Sequence, residues 1–190
     1  MKSLLPIKFR AGANENQVKV KNSIKELKKI PKEIHAILSE MGCCLIYFNG
    51  KITDNFEMKK YRGVTPRGWN EKYTWDNVSS AYFSERKIIF LGMDEIYVDK
   101  MEVTLHEYGH AFDSNVGLYL FGKNLSEMEV VLEAIKKEPF SEKYFENPRE
   151  YIANSFDLFY SGKKSRMNLK KNHFIIYQFL FKIDKILKEF

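Results

Sequence analysis

Cysteine is almost missing from this chain. Its 190 residues hold two, Cys43 and Cys44, and they are adjacent. Successive strand residues point to opposite faces, so a bridge between these two would be strained, and a disulfide-stapled fold is excluded. Both are read as buried free thiols, which says little about compartment. Also lacking is any uncharged apolar run long enough to span a membrane. The stretch from Met1 to Arg10 has no apolar core of the length a secretory signal needs. Either the protein works inside the cell, or a leader is missing from this chain. No internal repeat and no low-complexity tract is visible.

What is present fits a globular protein. Hydrophobic content is 44% and aromatic content 15%, enough for a sizeable core and against disorder. The length suits one domain, 1–190, or two closely packed lobes at about 20–117 and 118–190. The formal net charge is +6, but the basic residues are spread along the chain. They read as a solvated lysine-rich surface. No nucleic-acid motif accompanies them, so no nucleic-acid partner is expected.

Histidine is scarce, with four in the chain, and two of these fall in one stretch. His106 and His110 are four residues apart, which on a helix stacks both imidazoles on one face. Two neutral ring nitrogens so placed can bind one tetrahedral zinc ion, and Glu107 can reach a water beside it. This is the H-E-x-x-H arrangement of zinc peptidases, with the Glu as general base. A buried helix with two hydrogen-bonded histidines is the bland alternative. Leu105, Tyr108, Phe112 and Val116 form the apolar stripe of that helix, with Asp99 and Glu102 as a capping box and Gly117 as its stop. Asp113 reads as a supporting residue rather than a ligand.

The rest of the chain supplies a frame. Residues 1–20 look extended or irregular. A helix starting near Ser23 and Glu26 is interrupted by Pro31 and ends at Gly42. Cys43 to Phe48 is a strand closed by the turn pair Asn49-Gly50. Residues 53–77 read as a long loop with Trp69 and Trp75 as anchors. Ser79 to Ser84 and Lys87 to Leu91 form a hairpin around Glu85-Arg86, and one of its edges is available to an extended peptide. Helices follow at about Ser126 to Lys137, Pro148 to Ser161 and Lys170 to Glu189. The first is capped by Ser126 and Glu129, and the second by Asn147, with Gly162 as its stop.

A catalytic zinc ion needs a third protein ligand. One peptidase class supplies a histidine six residues after the second motif histidine, following a glycine. Here those positions are Val116 and Asp113, which excludes it. His35 and His173 lie far away in apolar helices and read as structural. Among the carboxylates, Glu150 in the first turn of the Pro148 helix is chosen, with Glu146, Glu142 and Glu133 as alternatives. Its spacing from Asn147 also permits a capping box, in which Glu150 would only satisfy a backbone donor.

The stretches His106 to Asp113 and Glu150 to Phe156 resemble the catalytic domain of anthrax lethal factor, and still more the small secreted Pro-Pro endopeptidases. Gly63 to Trp69 and Thr74 to Asp76 are also similar to the latter. The likeness covers roughly residues 20 to 190. It implies a zincin-like α+β fold: a small mixed or antiparallel sheet in the N-terminal half, the active-site helix, and a mostly helical C-terminal half. It implies Zn2+ held by His106, His110 and Glu150, with Glu107 as base. It also implies a tyrosine donating to the oxyanion, for which Tyr144 is the nearest candidate, six residues before Glu150 where the family pattern has seven. Asn154 stands where relatives carry a carboxylate that orients a histidine, and Arg149 where the Pro-Pro enzymes have an acid. The expectation is a monomeric zinc endopeptidase acting on a peptide or protein, with proline-rich sites among its candidate substrates. The alternative is a weak or inactive peptide-binding module on the same fold. Secretion is implied by the relatives; the N-terminus leaves a cytoplasmic location open.

Overall fold

The computed structural model describes residues 5–66, 70–93 and 103–189. Its sheet has four strands: β1 (Ile7–Arg10), β2 (Cys44–Phe48), β3 (Ser80–Phe83) and β4 (Ile88–Gly92). Their order is β1-β2-β4-β3. β1, β2 and β4 run parallel, and β3 returns antiparallel to β4 at one edge. The sheet is therefore mixed. Within residues 1–20, expected to be extended or irregular, β1 is an extended stretch, and a helix begins before their end, at Val18. The burial of β1 is partial, so it lacks the apolar run that marks β2.

β2 reads as a continuous apolar run because the sheet is covered on both faces. Leu45, Tyr47, Ile89 and Leu91 face the main core with the helices. Ile46, Phe48, Ile88 and Phe90 face a second core with Ile52, Met58 and Val78. The long segment after β2 thus forms the second layer. It is built from short 3-10 turns at Ile52–Asp54, Phe56–Tyr61 and Trp75–Asn77 rather than from free loop. Trp75 anchors it against Tyr61, with ring centroids 5.8 Å apart. Trp69 lies outside the described residues, as do Asp99 and Glu102. Both cysteines are free thiols; Cys43 is buried as expected, but Cys44 only half so. Burial pushes the Cys43 thiol up to about 11.

Pro31 divides the first helical segment into α1 (Val18–Leu27) and α2 (Lys32–Glu40). α1 starts five residues before Ser23, which is buried within it. The Ser23 hydroxyl instead meets Tyr47 Oη at 2.9 Å and accepts from Thr104 Oγ1 at 3.0 Å. Gly42 ends α2 with a φ of +82°, a left-handed value that favours glycine.

The motif helix α3 (Val103–Ala111) does not stop at Gly117. It continues through a π-turn, Phe112–Val116, into α4 (Gly117–Phe121), which ends at Gly122 with φ +71°. Gly117 serves a different need. A Cβ there would lie 2.6 Å from Lys123 O and 2.7 Å from Leu125 N, so the returning chain requires its absence. The next helix, α5 (Glu129–Lys137), begins three residues after Ser126. Ser126 does not cap it. Its N–H and Oγ donate to the buried Asp113 carboxylate at 2.7 and 2.9 Å.

α6 (Pro148–Ser161) has the expected bounds, with Asn147 Oδ1 accepting from Arg149 N–H at 3.0 Å. A separate helix, α7 (Lys163–Asn172), precedes the helix expected from Lys170, which starts later, as α8 (Phe174–Lys188). The break falls at His173, whose Nδ1 lies 2.8 Å from Glu138 O.

Candidate metal centre and cleft

α3 and α6 cross unusually closely, and the sequence allows it at one point. A Cβ on Gly109 would meet Ala153 Cα at 2.8 Å, Ala153 O at 2.9 Å and Phe156 Cβ at 3.2 Å. Gly109 lies beside His110 and three residues after His106, while Ala153 lies three residues after Glu150. The missing side chain therefore draws the first turn of α6 against the histidine face of α3.

The result is a convergence of three donors. Glu150 Oε2 lies 3.1 Å from His106 Nε2 and 3.4 Å from His110 Nε2. Ligand atoms of His106, His110 and Glu150 all lie within 4.8 Å of one another. Ligands bound to one tetrahedral zinc ion stand about 3.3 Å apart, so both His–Glu separations fit. Two imidazoles and a carboxylate also suit that metal chemically. No other group of three such residues lies close enough to hold an ion among the described residues. Glu133 instead pairs with Lys137 at 2.6 Å, and Glu142 and Glu146 stay outside the cluster. Glu150 does not form the capping box that its spacing from Asn147 allows.

Electrostatics follow from this crowding. Burial raises the proton affinity of the Glu150 carboxyl, but the two histidines outweigh it and hold the carboxyl well below its usual range. Burial lowers the His110 pKa, but the facing Glu150, with Glu107 and Asp113 nearby, more than reverses this.

Glu107 is buried beside the cluster. Its Oε2 accepts a hydrogen bond from Tyr82 N–H at 2.7 Å. Gly92 N–H donates to Ser79 O, so alternate β3 residues bond β4, and the main-chain groups of Ser80 and Tyr82 point outward. The edge strand thus presents its open side to the general-base candidate. Nothing in the sequence marks this N–H, because it is main chain. Asn115, in the π-turn, donates to the Tyr82 hydroxyl at 2.8 Å and steadies the same strand.

A cleft of about 390 Å³ opens here, bounded by β3, Glu107, His110, Glu150, Tyr144 and Arg149. Trp75, Val78 and Pro66 give it an apolar wall, so Trp75 lines the cleft as well as anchoring its segment. Tyr144 reaches the cluster despite its shifted spacing. Burial and the negative charge of the facing Glu150 push its phenol pKa well up, so it keeps its proton. Asn154 makes no side-chain hydrogen bond with any described residue, and His106 Nδ1 is buried without a partner among them. Among the described residues, Asn154 does not take the orienting role that the relatives' carboxylate has at its position. His35 and His173 stay outside the cluster. His35 lies 3.0 Å from Leu27 O and 2.5 Å from the Tyr108 hydroxyl, tying α2 to the motif helix.

Residues 4–183 match the family model described as anthrax toxin lethal factor, N- and C-terminal domain, and the chain belongs to that family. Within it, the chain is similar to a Pro-Pro endopeptidase of Paenibacillus alvei. The two are 29% identical over 165 residues, covering 83% of this chain and 73% of that protein. The solved structure of the Pro-Pro endopeptidase PPEP-2 from Paenibacillus alvei superposes with a TM-score of 0.79 at 24% identity. That match covers 93% of this chain and 96% of the other. It shows the α+β fold, with a small sheet and a mostly helical remainder.

Proposed function

We propose that residues 1–190 form the catalytic domain of a zinc-dependent endopeptidase that cuts near proline. The observation that supports it best is the meeting of His106, His110 and Glu150 within 4.8 Å, beside a buried Glu107 in an open cleft. His106, His110 and Glu150 would hold the ion. Zinc bound there would acidify a water and polarise the scissile carbonyl.

The chain's own residues do the rest. The outward main chain of β3 at Ser80 and the Tyr82 carbonyl pair with an extended peptide, as sheet edges do. Glu107, held by Tyr82 N–H, accepts the proton of the attacking water and passes it to the leaving amine. The Tyr144 hydroxyl donates to the oxyanion as it forms. Trp75, Val78 and Pro66 offer an apolar surface suited to proline rings, which dock on aromatic-lined grooves. The named activity of the Paenibacillus alvei relative agrees with this reading.

The test is a mass-spectrometric cleavage profile on a peptide library rich in Pro-Pro sequences. The zinc-loaded protein is expected to cut, and Glu107→Gln to lose at least about a hundredfold in rate while keeping its metal. Undiminished turnover in that variant would sink the mechanism. A second reading, a peptide-binding module with little activity, draws on His106 Nδ1, which has no hydrogen-bond partner among the described residues, since metal-binding histidines usually have that nitrogen hydrogen-bonded. Zinc bound with no peptide cut would favour it.

A further inference from the structure

Among the described residues, the carboxylates lining the cleft are all committed. Glu107 accepts from Tyr82 N–H, Asp113 from Ser126, and Glu150 faces both histidines. Among the described residues of the lining there is one cation of the Lys or Arg type, Arg149. It is exposed, and its guanidinium makes no ion pair or hydrogen bond with any described residue. It directly precedes Glu150 in the first turn of α6, so it stands at the rim beside the reacting centre. A guanidinium offers five donors in a planar fork that matches a carboxylate. A bound peptide would exclude water from this rim, and a pair formed there is screened less than one on open surface.

We propose that Arg149 is a specificity-determining residue that pairs with a carboxylate of the bound peptide. This rests on the peptidase reading of the same cleft. An extended peptide advances about 3.3 Å per residue, which places that carboxylate within about three residues of the bond cut. Its source is an Asp or Glu side chain or a free C-terminus. With the acids of the described lining committed, a carboxylate of the ligand is the partner open to the fork.

The experiment separates recognition from turnover. Peptides of one proline-containing core are made in three forms: blocked at both ends with an internal Asp or Glu, blocked with the matching Asn or Gln, and neutral with a free C-terminus. Binding is measured on zinc-loaded Glu107→Gln protein, and cleavage on the native protein. An acidic or free-ended form is expected to bind roughly tenfold tighter than its blocked neutral counterpart. Whichever form gains identifies the source. Arg149→Gln, added to the Glu107→Gln protein, should erase that ratio, and Arg149→Glu should invert it in favour of the blocked neutral form. The same ratio in the presence and absence of Arg149, or no measurable binding of any form, would overturn the proposal. Absence of cleavage by the native protein would count against the peptidase reading alone, because the binding ratio still decides the role of Arg149.

Discussion

Asn147 and Glu150 illustrate how one local pattern admits two outcomes. Both residues have capping-box spacing, and sequence alone cannot say which one caps. Asn147 takes the backbone donor of Arg149, and Glu150 is left to face the histidines. The same ambiguity misled at Ser23 and Ser126. Each has the look of a helix cap, yet each hydroxyl is claimed by a distant partner: Tyr47 and Thr104 for one, Asp113 for the other. Short polar side chains compete for local and remote partners alike, and only the folded chain decides. Asp113 is thereby assigned to holding the turn at Leu125–Glu127. Asp113→Ala leaves a buried Ser126 N–H without an acceptor and is expected to cost about 1–3 kcal/mol in denaturant unfolding. Its zinc content should stay at the native value. Loss of metal with unchanged stability would instead make Asp113 a ligand.

At the scale of elements, what could be read depended on the kind of signal. His106, Glu107 and His110 were readable because helix geometry alone puts them together. The bounds of α6 were readable because Asn147, Pro148 and Gly162 are local punctuation. Gly117 was misread for an instructive reason. A glycine near a helix end resembles a stop, but this one is demanded by the approach of Lys123 and Leu125. α7 was not legible because Lys163–Asn172 carries only Met167 and Leu169 as apolar residues and has no helical period. Gly109 is the element-scale key to the site. It sits inside the motif as an unspecified position, yet it sets how close α6 comes. Gly109→Ala is expected to overpack the crossing by about 1–3 kcal/mol and to weaken zinc affinity along with stability. Thermal unfolding with and without added zinc checks this. An alanine variant of native stability and native affinity would contradict the close-crossing account.

The whole molecule is a mixed sheet buried on both faces, with helices on one side and the turn-rich segment after β2 on the other. That second layer was the least readable part, because its 3-10 turns have no long hydrophobic period. No helix among the described residues is long and apolar enough to cross a membrane. The layout puts the edge strand, the motif helix and the first turn of α6 around one cleft, drawing on residues from Pro66 to Glu150. Only folding brings such distant segments together, so an ion held there should stabilise the native state over the unfolded chain. At an excess of a thousandfold over its dissociation constant the gain is about 4 kcal/mol.

The account stands on Glu150 completing the site made by His106 and His110, and metal content per chain measures this directly. Native protein and Glu107→Gln, loaded with zinc and then desalted, are expected to hold one ion each. Glu150→Ala should lose it, together with the zinc-dependent rise in unfolding temperature. Glu150→Ala retaining a full equivalent of zinc and the same thermal shift would contradict the assignment of the third ligand and the cleft built around it.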